Sequence, residues 1–454
     1  MEYIQTLVTE INSVLWGVPM MILLMGTHLF FTIRLRFPQR KIFQAIKLSI
    51  TKDEGANGDV SQFGALTTAL AGTIGTGNIV GVATAIALGG PGAVLWCWLT
   101  GVLGISTKYA EALLAVKYRV KGENGKMIGG PMYALERGLN MKWLAVLFCI
   151  FGTFSFIVMG NMVQTNSICA LAQNEYGIPN YITGLVLAVV VSLVVLFGIK
   201  GIARVSSFLV PFMALLYIIG CIIILIINAE YLPQSLMLIV KSAFTPQAAG
   251  GGFLGSTILI ASRYGIARGL FSNESGLGTA PIVAAAAKTR NPVRQALVSS
   301  TGTFWDTVVI CALTGLVIVS SVLAYPEIDH TNGATLTQTS FGKIPYVGPF
   351  ILTSGLFFFS FSTILGYAYL SEKTLQYLFG HKIIPSFRIF WVIAVFCGSL
   401  ISLNLVWDLA DMFNALMAIP NIISLILLSG VIISETKKYL WENRLDETME
   451  DNME

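Results

Sequence analysis

Two stretches decide the fold of this chain: AGTIGTGN at residues 71–78 and GLFSNESGLGTAP at residues 269–281. Each lies within a long apolar run and brings glycine and small polar residues to its middle. Glycine releases a helix at low steric cost, and an unwound turn inside a bilayer leaves N–H and C=O groups that need partners. The two stretches therefore predict discontinuous helices whose bared backbone groups bind a ligand and a cation. Close packing between helices is the alternative use of such glycines.

The composition around these stretches is that of a membrane protein. Of the 454 residues, 55% are hydrophobic and 11% are charged, against roughly 25% charged residues in an ordinary soluble domain. We therefore treat residues 1–454 as one transmembrane domain. The net charge of +4 comes from dispersed basic residues, which gives no support for a nucleic-acid partner. The six cysteines form no CxxC pair, so neither zinc nor a disulfide framework is indicated, and no cofactor is expected.

The apolar runs predict an all-α polytopic protein with eleven transmembrane helices, each about 20 residues long. Their predicted limits are 12–33, 64–89, 92–116, 143–173, 181–199, 205–228, 253–287, 296–322, 346–371, 388–404 and 406–433. The first run is too long for a signal peptide and lacks a small-residue cleavage site, so it is expected to persist as an extra N-terminal helix. Residues 434–454 form a tail.

Lysine and arginine are concentrated in alternate loops, beginning with the loop after the first run and the loop after the third. Because short basic loops stay on the cytoplasmic side, the N-terminus is predicted outside the cell and the C-terminus inside. The chain is thus expected to be a multi-pass protein of the cell membrane, surrounded by lipid.

The two interrupted runs lie five spans apart, so residues 64–228 and 253–433 align as two groups of five spans. An odd number of spans per group gives the groups opposite orientations. This arrangement is typical of an inverted-repeat transporter with its site at the bilayer midplane. No HExxH motif or phosphate-binding loop favours an enzyme, whereas an ion channel would use similar carbonyl ligands.

Three motifs resemble the signatures of the alanine or glycine:cation symporter family, also called sodium:alanine symporters. They are GTGNIVGVATAI (75–86), GGPMYALERGL (129–139) and ARGLFSNESGLGTAP (267–281). The resemblance covers nearly the whole chain. It implies a leucine-transporter-type fold of five plus five helices after one extra helix, and sodium-coupled uptake of small neutral amino acids such as alanine and glycine.

The resemblance also implies substrate contacts. Bared N–H groups at a half-helix N-terminus bind anions, so those of the first interruption are expected to hold the substrate carboxylate. Phe271 would cover a small side chain, and the two carbonyls that follow it would accept from the ammonium group. The expected substrate-binding residues are Thr76, Gly77, Asn78, Gln164, Phe271, Ser272, Asn273 and Tyr367.

Two sodium sites are implied in the same way. One would use the Thr73 carbonyl and the side-chain oxygen of Asn78. The other would join carbonyls of the second span to Phe359-Ser360-Phe361-Ser362-Thr363, where the first carbonyl and the last two hydroxyls lie at i, i+3 and i+4 on one face. The expected sodium ligands are Ala71, Thr73, Ile74, Asn78, Phe359, Ser362 and Thr363.

Two residues leave alternatives open. Glu274 is an intramembrane carboxylate, which is costly and usually functional; it either contacts ligand, ion or a coupled proton, or forms a structural ion pair with Arg268 or Arg263. Tyr367 stands where the family typically has tryptophan. The smaller ring leaves more room and adds a hydroxyl, so a glutamine-type substrate stays open.

Other ionisable residues carry less information. Lys108 and Glu111 are spaced for an i, i+3 ion pair on one helix. Asp306 lies on the inner half of the eighth span, while Asp408 and Asp411 begin the eleventh, where gating and simple interface exposure are both plausible. The Gly-Gly-Pro segment at 129–131 is expected to form a tight turn in an inner loop. Oligomeric state is not indicated by any of these features.

Overall fold

The computed structural model describes residues 2–51, 53, 56–122, 125–196, 198–245, 257–345, 347–401 and 403–449. These residues are mostly helical. The helices before the second interruption are α1 (Glu2–Leu15), α2 (Val18–Arg34), α3 (Ile42–Ile50), α4 (Gln62–Thr73), α5 (Val82–Gly89), α6 (Gly92–Lys117), α7 (Pro131–Tyr133), α8 (Lys142–Ile157), α9 (Val163–Tyr176), α10 (Asn180–Val195), α11 (Gly198–Ile227), α12 (Leu232–Phe244) and α13 (Ile258–Asn273).

The remaining helices include the long α18, which contacts both α4 and α8. They are α14 (Ala280–Ala284), α15 (Pro292–Thr303), α16 (Ala312–Ala324), α17 (Gly333–Phe341), α18 (Val347–Phe379), α19 (Ile384–Gly398), α20 (Leu403–Leu427) and α21 (Ser429–Thr436). A short hairpin of β1 (Val120–Lys121) and β2 (Met127–Ile128) is antiparallel.

Wide π turns continue several helices without a break. They are Gly77–Gly81, Ala134–Gly138, Val158–Met162, Phe304–Cys311 and Lys437–Trp441. Such turns insert extra backbone into a helix and are frequent at functional sites. Two of them, Gly77–Gly81 and Phe304–Cys311, face each other at the site described below.

The described part of the chain contains seven helices that are long and apolar enough to cross a membrane, or up to nine if each bent pair counts as one span. Helix length and composition in the described residues therefore do not reproduce all eleven expected spans. The run 181–199 gives only the 16 residues of α10, and the run 253–287 is divided between α13 and α14, with residues 253–256 outside the described ranges.

The predicted single helix at 12–33 is wrong. Two helices, α1 and α2, occupy this region and meet at an angle of 49°. The break falls at Gly17, and proline occupies the first turn of α2. Proline is well tolerated there but not inside a helix, which explains why α1 does not continue into α2.

Both predicted interruptions are present. Helix α4 ends at Thr73, Ile74 is extended, and the helix that resumes at Gly77 is inclined by 51°. Helix α13 ends where Glu274 enters the left-handed region, and Gly276 and Gly278 have φ angles of 98° and 84°. Glycine adopts such angles without a steric penalty, so the composition of this stretch permits the break.

Backbone hydrogen bonds join the two interrupted helices at the ends that lie near the basic loops. Lys288 N donates to Val60 O at 2.8 Å, and Asp59 N donates to Ala286 O at 2.8 Å. The Arg119 guanidinium donates to the carbonyls of residues 285 and 287. We call this part of the bundle, residues 57–60, 119 and 285–288, the basic end. It is closed by these bonds.

Candidate functional site

The two interruptions lie directly against each other in the middle of the bundle. A methyl group added at Gly77 would be 2.9 Å from Phe271 Cδ1 and 3.4 Å from Ser272 Cα. Asn78 and Ser272 are fully buried. The structure therefore brings together the parts of the chain that the sequence paired.

Helix α18 closes a third side of the first interruption. A Cβ at Gly366 would be 2.9 Å from the backbone nitrogen of Gly72, so the two helices approach backbone to backbone. A Cβ at Gly75 would be 2.7 Å from Thr363 Oγ1 and 3.1 Å from Gln164 Oε1. The absence of side chains at these glycines lets α18 reach the unwound turn.

Five of the expected sodium ligands form one cluster of oxygens. Ser362 Oγ lies 3.5 Å from Ala71 O and 2.9 Å from Phe359 O. Thr363 Oγ1 lies 3.3 Å from Ile74 O and 3.0 Å from Phe359 O. Carbonyl and hydroxyl oxygens without a carboxylate among them are hard, neutral ligands, which fits a monovalent cation.

Asn78 holds the first interruption in shape. Its Oδ1 accepts from Gly75 N at 2.9 Å, and its Nδ2 donates to Asp306 Oδ1 at 2.7 Å. The side-chain oxygen that was expected to face sodium is thus within the turn, next to a carboxylate. Thr73, the other residue expected at that site, is also buried.

Asp306 connects both interruptions, a role that the sequence did not indicate. Its carboxylate accepts from Asn78, from Ser272 Oγ at 2.8 Å and from Thr307 Oγ1 at 2.6 Å. The residue is fully buried in the π turn Phe304–Cys311. An intramembrane carboxylate was the available signal, but its partners depend on how α15 and α16 pack against the two breaks.

Gln164, an expected substrate contact, bonds to the first interruption. Its Oε1 accepts from Thr76 N at 3.2 Å, and its Nε2 donates to Met159 O at 3.2 Å. The Thr76 hydroxyl is buried and has no hydrogen-bond partner among the described residues. A buried hydroxyl without a partner is costly, so this group is available to a bound molecule.

Phe271 contacts both Gly77 of the first interruption and Trp407 of α20. Its ring lies 4.7 Å from that of Trp407, and the Arg268 guanidinium is 4.9 Å from the Trp407 ring. Beyond these rings is a cavity of about 380 Å³ with Arg268, Trp407 and Asp408 in its wall. We call it the vestibule.

Arg268 does not pair with Glu274, which corrects one of the two interpretations of that carboxylate. Its guanidinium instead forms a two-pronged ion pair with Asp411, at 3.1 Å and 2.6 Å, while Arg263 lies over the ring of Tyr264. Asp411 is buried, so of the two alternatives for this residue the structure excludes simple interface exposure.

Glu274 binds neutral hydroxyls instead. It accepts from Thr279 Oγ1 and from the Tyr367 hydroxyl. The Tyr367 ring is fully buried and lies edge-on to Phe156 at 5.4 Å. Tyr367 thus gives Glu274 a hydroxyl donor, whereas a tryptophan at this position could donate only through its indole N–H. Asn273, whose carbonyl is expected near the substrate ammonium group, directs its side chain to α6, where its Nδ2 donates to Thr100 Oγ1 at 3.1 Å.

The predicted ion pair between Lys108 and Glu111 is also wrong. Glu111 Oε1 accepts from the backbone nitrogens of Gly276 and Gly278, both at 3.0 Å. Lys108 Nζ is buried and has no hydrogen-bond partner in the described part of the chain. Helical spacing made the pair possible, but the fold places the carboxylate against the bared N–H groups of the second interruption.

The model of one family, described as the sodium:alanine symporter family, matches residues 1–453. The chain is 50% identical over 442 residues to the sodium/alanine symporter AgcS of Methanococcus maripaludis, a match that covers 96% of this chain and 97% of the relative. It is 36% identical over 448 residues to the protein named "Probable sodium/glutamine symporter GlnT" of Bacillus subtilis, covering 96% and 91%.

The fold resembles that of MhsT, whose crystal structure was determined in complex with L-phenylalanine. The two chains are 17% identical, with a TM-score of 0.53, and the match covers 87% of this chain and 94% of MhsT. At this identity the likeness concerns the fold alone. The fold of the described residues thus agrees with the expected leucine-transporter type.

Proposed function

Because this chain belongs to the sodium:alanine symporter family, we propose that it couples inward sodium movement to the uptake of small neutral amino acids, with alanine and glycine as its substrates. Members of this family are transporters rather than enzymes. The observation that carries the proposal is the contact between Gly77 and the Phe271-Ser272 turn, beside the oxygen cluster of α18.

The amino acid would bind between the two interruptions. The Gly77 N–H group and the free Thr76 hydroxyl suit its carboxylate, because a helix that begins here directs partial positive charge toward an anion. Gln164 would orient this turn, and Phe271 would cover the small side chain. Carbonyls of Ser272 and Asn273 would accept from the ammonium group.

Sodium would bind in the oxygen cluster formed by α4 and α18, with Thr363 as a ligand from α18. A second ion near Asn78 would gain from the charge of Asp306, which lies 2.7 Å from the Asn78 amide. Negative charge held close to a neutral ligand set strengthens cation binding in a low-dielectric interior. Substrate and sodium would thus stabilise the same unwound turn.

The proposed topology has eleven spans, with an inverted five-plus-five repeat after the N-terminal region. The basic end, with Arg119 and Lys288, would face the cytoplasm; the N-terminus would then lie outside and the C-terminus inside. The vestibule would open to the exterior. Residues 434–454 would form a cytoplasmic tail.

Alternating access would follow from two barriers. On the vestibule side, the Arg268–Asp411 ion pair and the neighbouring rings of Phe271 and Trp407 would separate the site from the exterior. At the basic end, the bonds between residues 57–60 and 285–288 close the other exit. Rocking of one repeat against the other would open one barrier while the other stays closed.

Substitution of Thr363 by alanine tests the sodium site. The change removes one of the clustered oxygens, so the sodium concentration for half-maximal alanine uptake into reconstituted vesicles should rise at least about fivefold, equivalent to about 1 kcal/mol of lost binding. Thr353→Ala, the same change ten residues earlier on α18, should leave it unaltered. An unchanged sodium dependence in Thr363→Ala would remove the assignment.

Glutamine is the second candidate substrate. The Tyr367 hydroxyl lies at the second interruption, and one relative carries sodium/glutamine symporter in its name. In a competition assay on sodium-driven alanine uptake, unlabelled glycine should compete about as well as alanine. Glutamine should compete at least about tenfold less well, because one methylene and an amide group more than in alanine must fit beneath Phe271. Equal competition by glutamine would reverse this order.

Proton coupling through Glu274 is the rival to sodium coupling. Glutamine at this position keeps an acceptor for Tyr367 but carries no titrating proton. Sodium-dependent uptake that persists in Glu274→Gln would exclude an obligatory proton carrier here, whereas uptake driven only by a proton gradient in the parent protein would replace sodium as the coupling ion.

A further inference from the structure

A second buried carboxylate lies outside the proposed substrate and sodium sites. Glu111 of α6 is 2% exposed, and its Oε1 accepts three hydrogen bonds, from Gly276 N, from Gly278 N and from Asn421 Nδ2 at 2.6 Å. Two of these donors are backbone N–H groups that the second interruption frees from helical bonding. Glu111 thus holds that interruption in its observed shape.

The other oxygen of the same carboxylate has no such support. Glu111 Oε2 is buried and has no hydrogen-bond partner among the described residues. An unsatisfied carboxylate oxygen in a low-dielectric interior is costly. A water molecule or a proton would relieve this cost.

A small cavity lies beside the Glu111 side chain. It leaves about 10 Å³ for the centre of a water-sized molecule, with Glu111, Asn421 and Ser424 as polar walls, and this is enough for roughly one water. Gly130 and Pro131 of the Gly-Gly-Pro segment also line it. That segment reaches the second interruption, because a Cβ at Gly278 would be 2.5 Å from Pro131 Cγ.

We propose that Glu111 is a proton-binding residue, reached through a water molecule in this cavity from the side of the Gly-Gly-Pro segment. A hydronium ion would give its proton to Oε2 and become water, and the carboxylate would become a neutral carboxyl group. The three bonds to Oε1 would then lose their charge assistance, and bonds to an ionised group are roughly twice as strong as neutral ones. The second interruption would be released more easily.

The charged groups around Glu111 fit this role. On α6, Lys108 Nζ has no hydrogen-bond partner among the described residues, and its charge favours the ionised carboxylate without bonding to it. On the interruption itself, Glu274 is bound by hydroxyls, and on α2, His28 is bonded to Thr107 Oγ1 at 2.8 Å. Among the residues that line the cavity, Glu111 carries the ionisable side chain. No arginine or lysine bonds to its carboxylate in the described part of the chain, so a proton can compete for it.

The inference rests on the proposed function, since the proton is expected to act on inward opening of the transporter. In vesicles with a fixed sodium gradient, lowering the pH on the Gly-Gly-Pro side should raise the initial rate of alanine uptake at least about threefold in the parent protein. Glu111→Gln keeps an acceptor for the three donors and should lose this pH dependence. Glu435→Gln, which affects a carboxylate bonded to Lys117, should retain it.

A second variant covers the case in which Glu111→Gln does not fold. Ser424→Val fills the cavity without touching the bonds of Oε1, and it should reduce the pH response to less than about half of the parent value. A full pH response in either variant, or none in the parent protein, would overturn the proposal. Sodium-driven uptake by the parent at neutral pH is measured first, so failure of the proposed function is distinguished from failure of the Glu111 assignment.

Discussion

Replacement of Gly75 by alanine is expected to lower sodium-driven uptake at least about 30-fold, equivalent to about 2 kcal/mol. The added methyl group would lie 2.7 Å from Thr363 Oγ1 and 3.1 Å from Gln164 Oε1. It therefore displaces a proposed sodium ligand and the amide that orients Thr76 in one step. Neither side chain can withdraw freely, because both are buried and interiors are close-packed.

The matched control is Gly26→Ala on α2, where an added Cβ meets nothing within 4 Å. This variant should transport at the parent rate, and its stability should be equal or slightly higher, because alanine favours helix over glycine. Thermal unfolding of both purified variants separates lost function from lost fold. Parent-like uptake by Gly75→Ala would show that the first interruption is not part of the binding site.

Replacement of Asp306 by alanine is expected to abolish measurable uptake, a loss of at least about 100-fold, or about 2.7 kcal/mol. The carboxylate accepts from Asn78, Ser272 and Thr307, and its removal takes away the charged acceptor that these donors share, leaving the Asp306 carbonyl and Cys311 Sγ as weaker acceptors for Asn78 and Ser272. Each bond to a charged group contributes roughly 1.5–3 kcal/mol. The variant should therefore also unfold at a lower temperature than the parent protein.

Asp306→Asn separates charge from shape. It keeps an oxygen acceptor, so it should fold better than the alanine variant, but it should still need a higher sodium concentration because the negative charge is gone. Asp329→Asn, in an exposed loop turn, is the control and should behave as the parent. Uptake within twofold of the parent in Asp306→Asn would show that its charge does not support cation binding.

The features that the sequence predicted are those set by local rules. Glycine composition located both interruptions, and the i, i+3 and i+4 spacing on α18 put Ser362 and Thr363 on one helix face, while the family resemblance implied that this face lies beside the first interruption. The break between α1 and α2 could also have been predicted, since Gly17 and Pro19 mark it. The prediction of one helix over 12–33 gave more weight to the length of the apolar run than to these two residues.

The features that the sequence did not predict depend on tertiary partners. Arg268 was considered as a partner of Glu274 and pairs instead with Asp411, because α20 packs against α13. Glu111 binds the bared N–H groups of the second interruption instead of Lys108. Asp306 becomes a link between the two breaks only when the π turn at 304–311 faces both. The spacing of residues along the chain does not determine these tertiary contacts.

The most direct test is equilibrium binding of alanine to the purified protein in sodium chloride and in choline chloride. If the two interruptions hold solute and cation in one site, sodium should raise the affinity for alanine at least about tenfold, and alanine should raise the affinity for sodium by the same factor. Equal alanine affinity in the two salts would contradict a shared site.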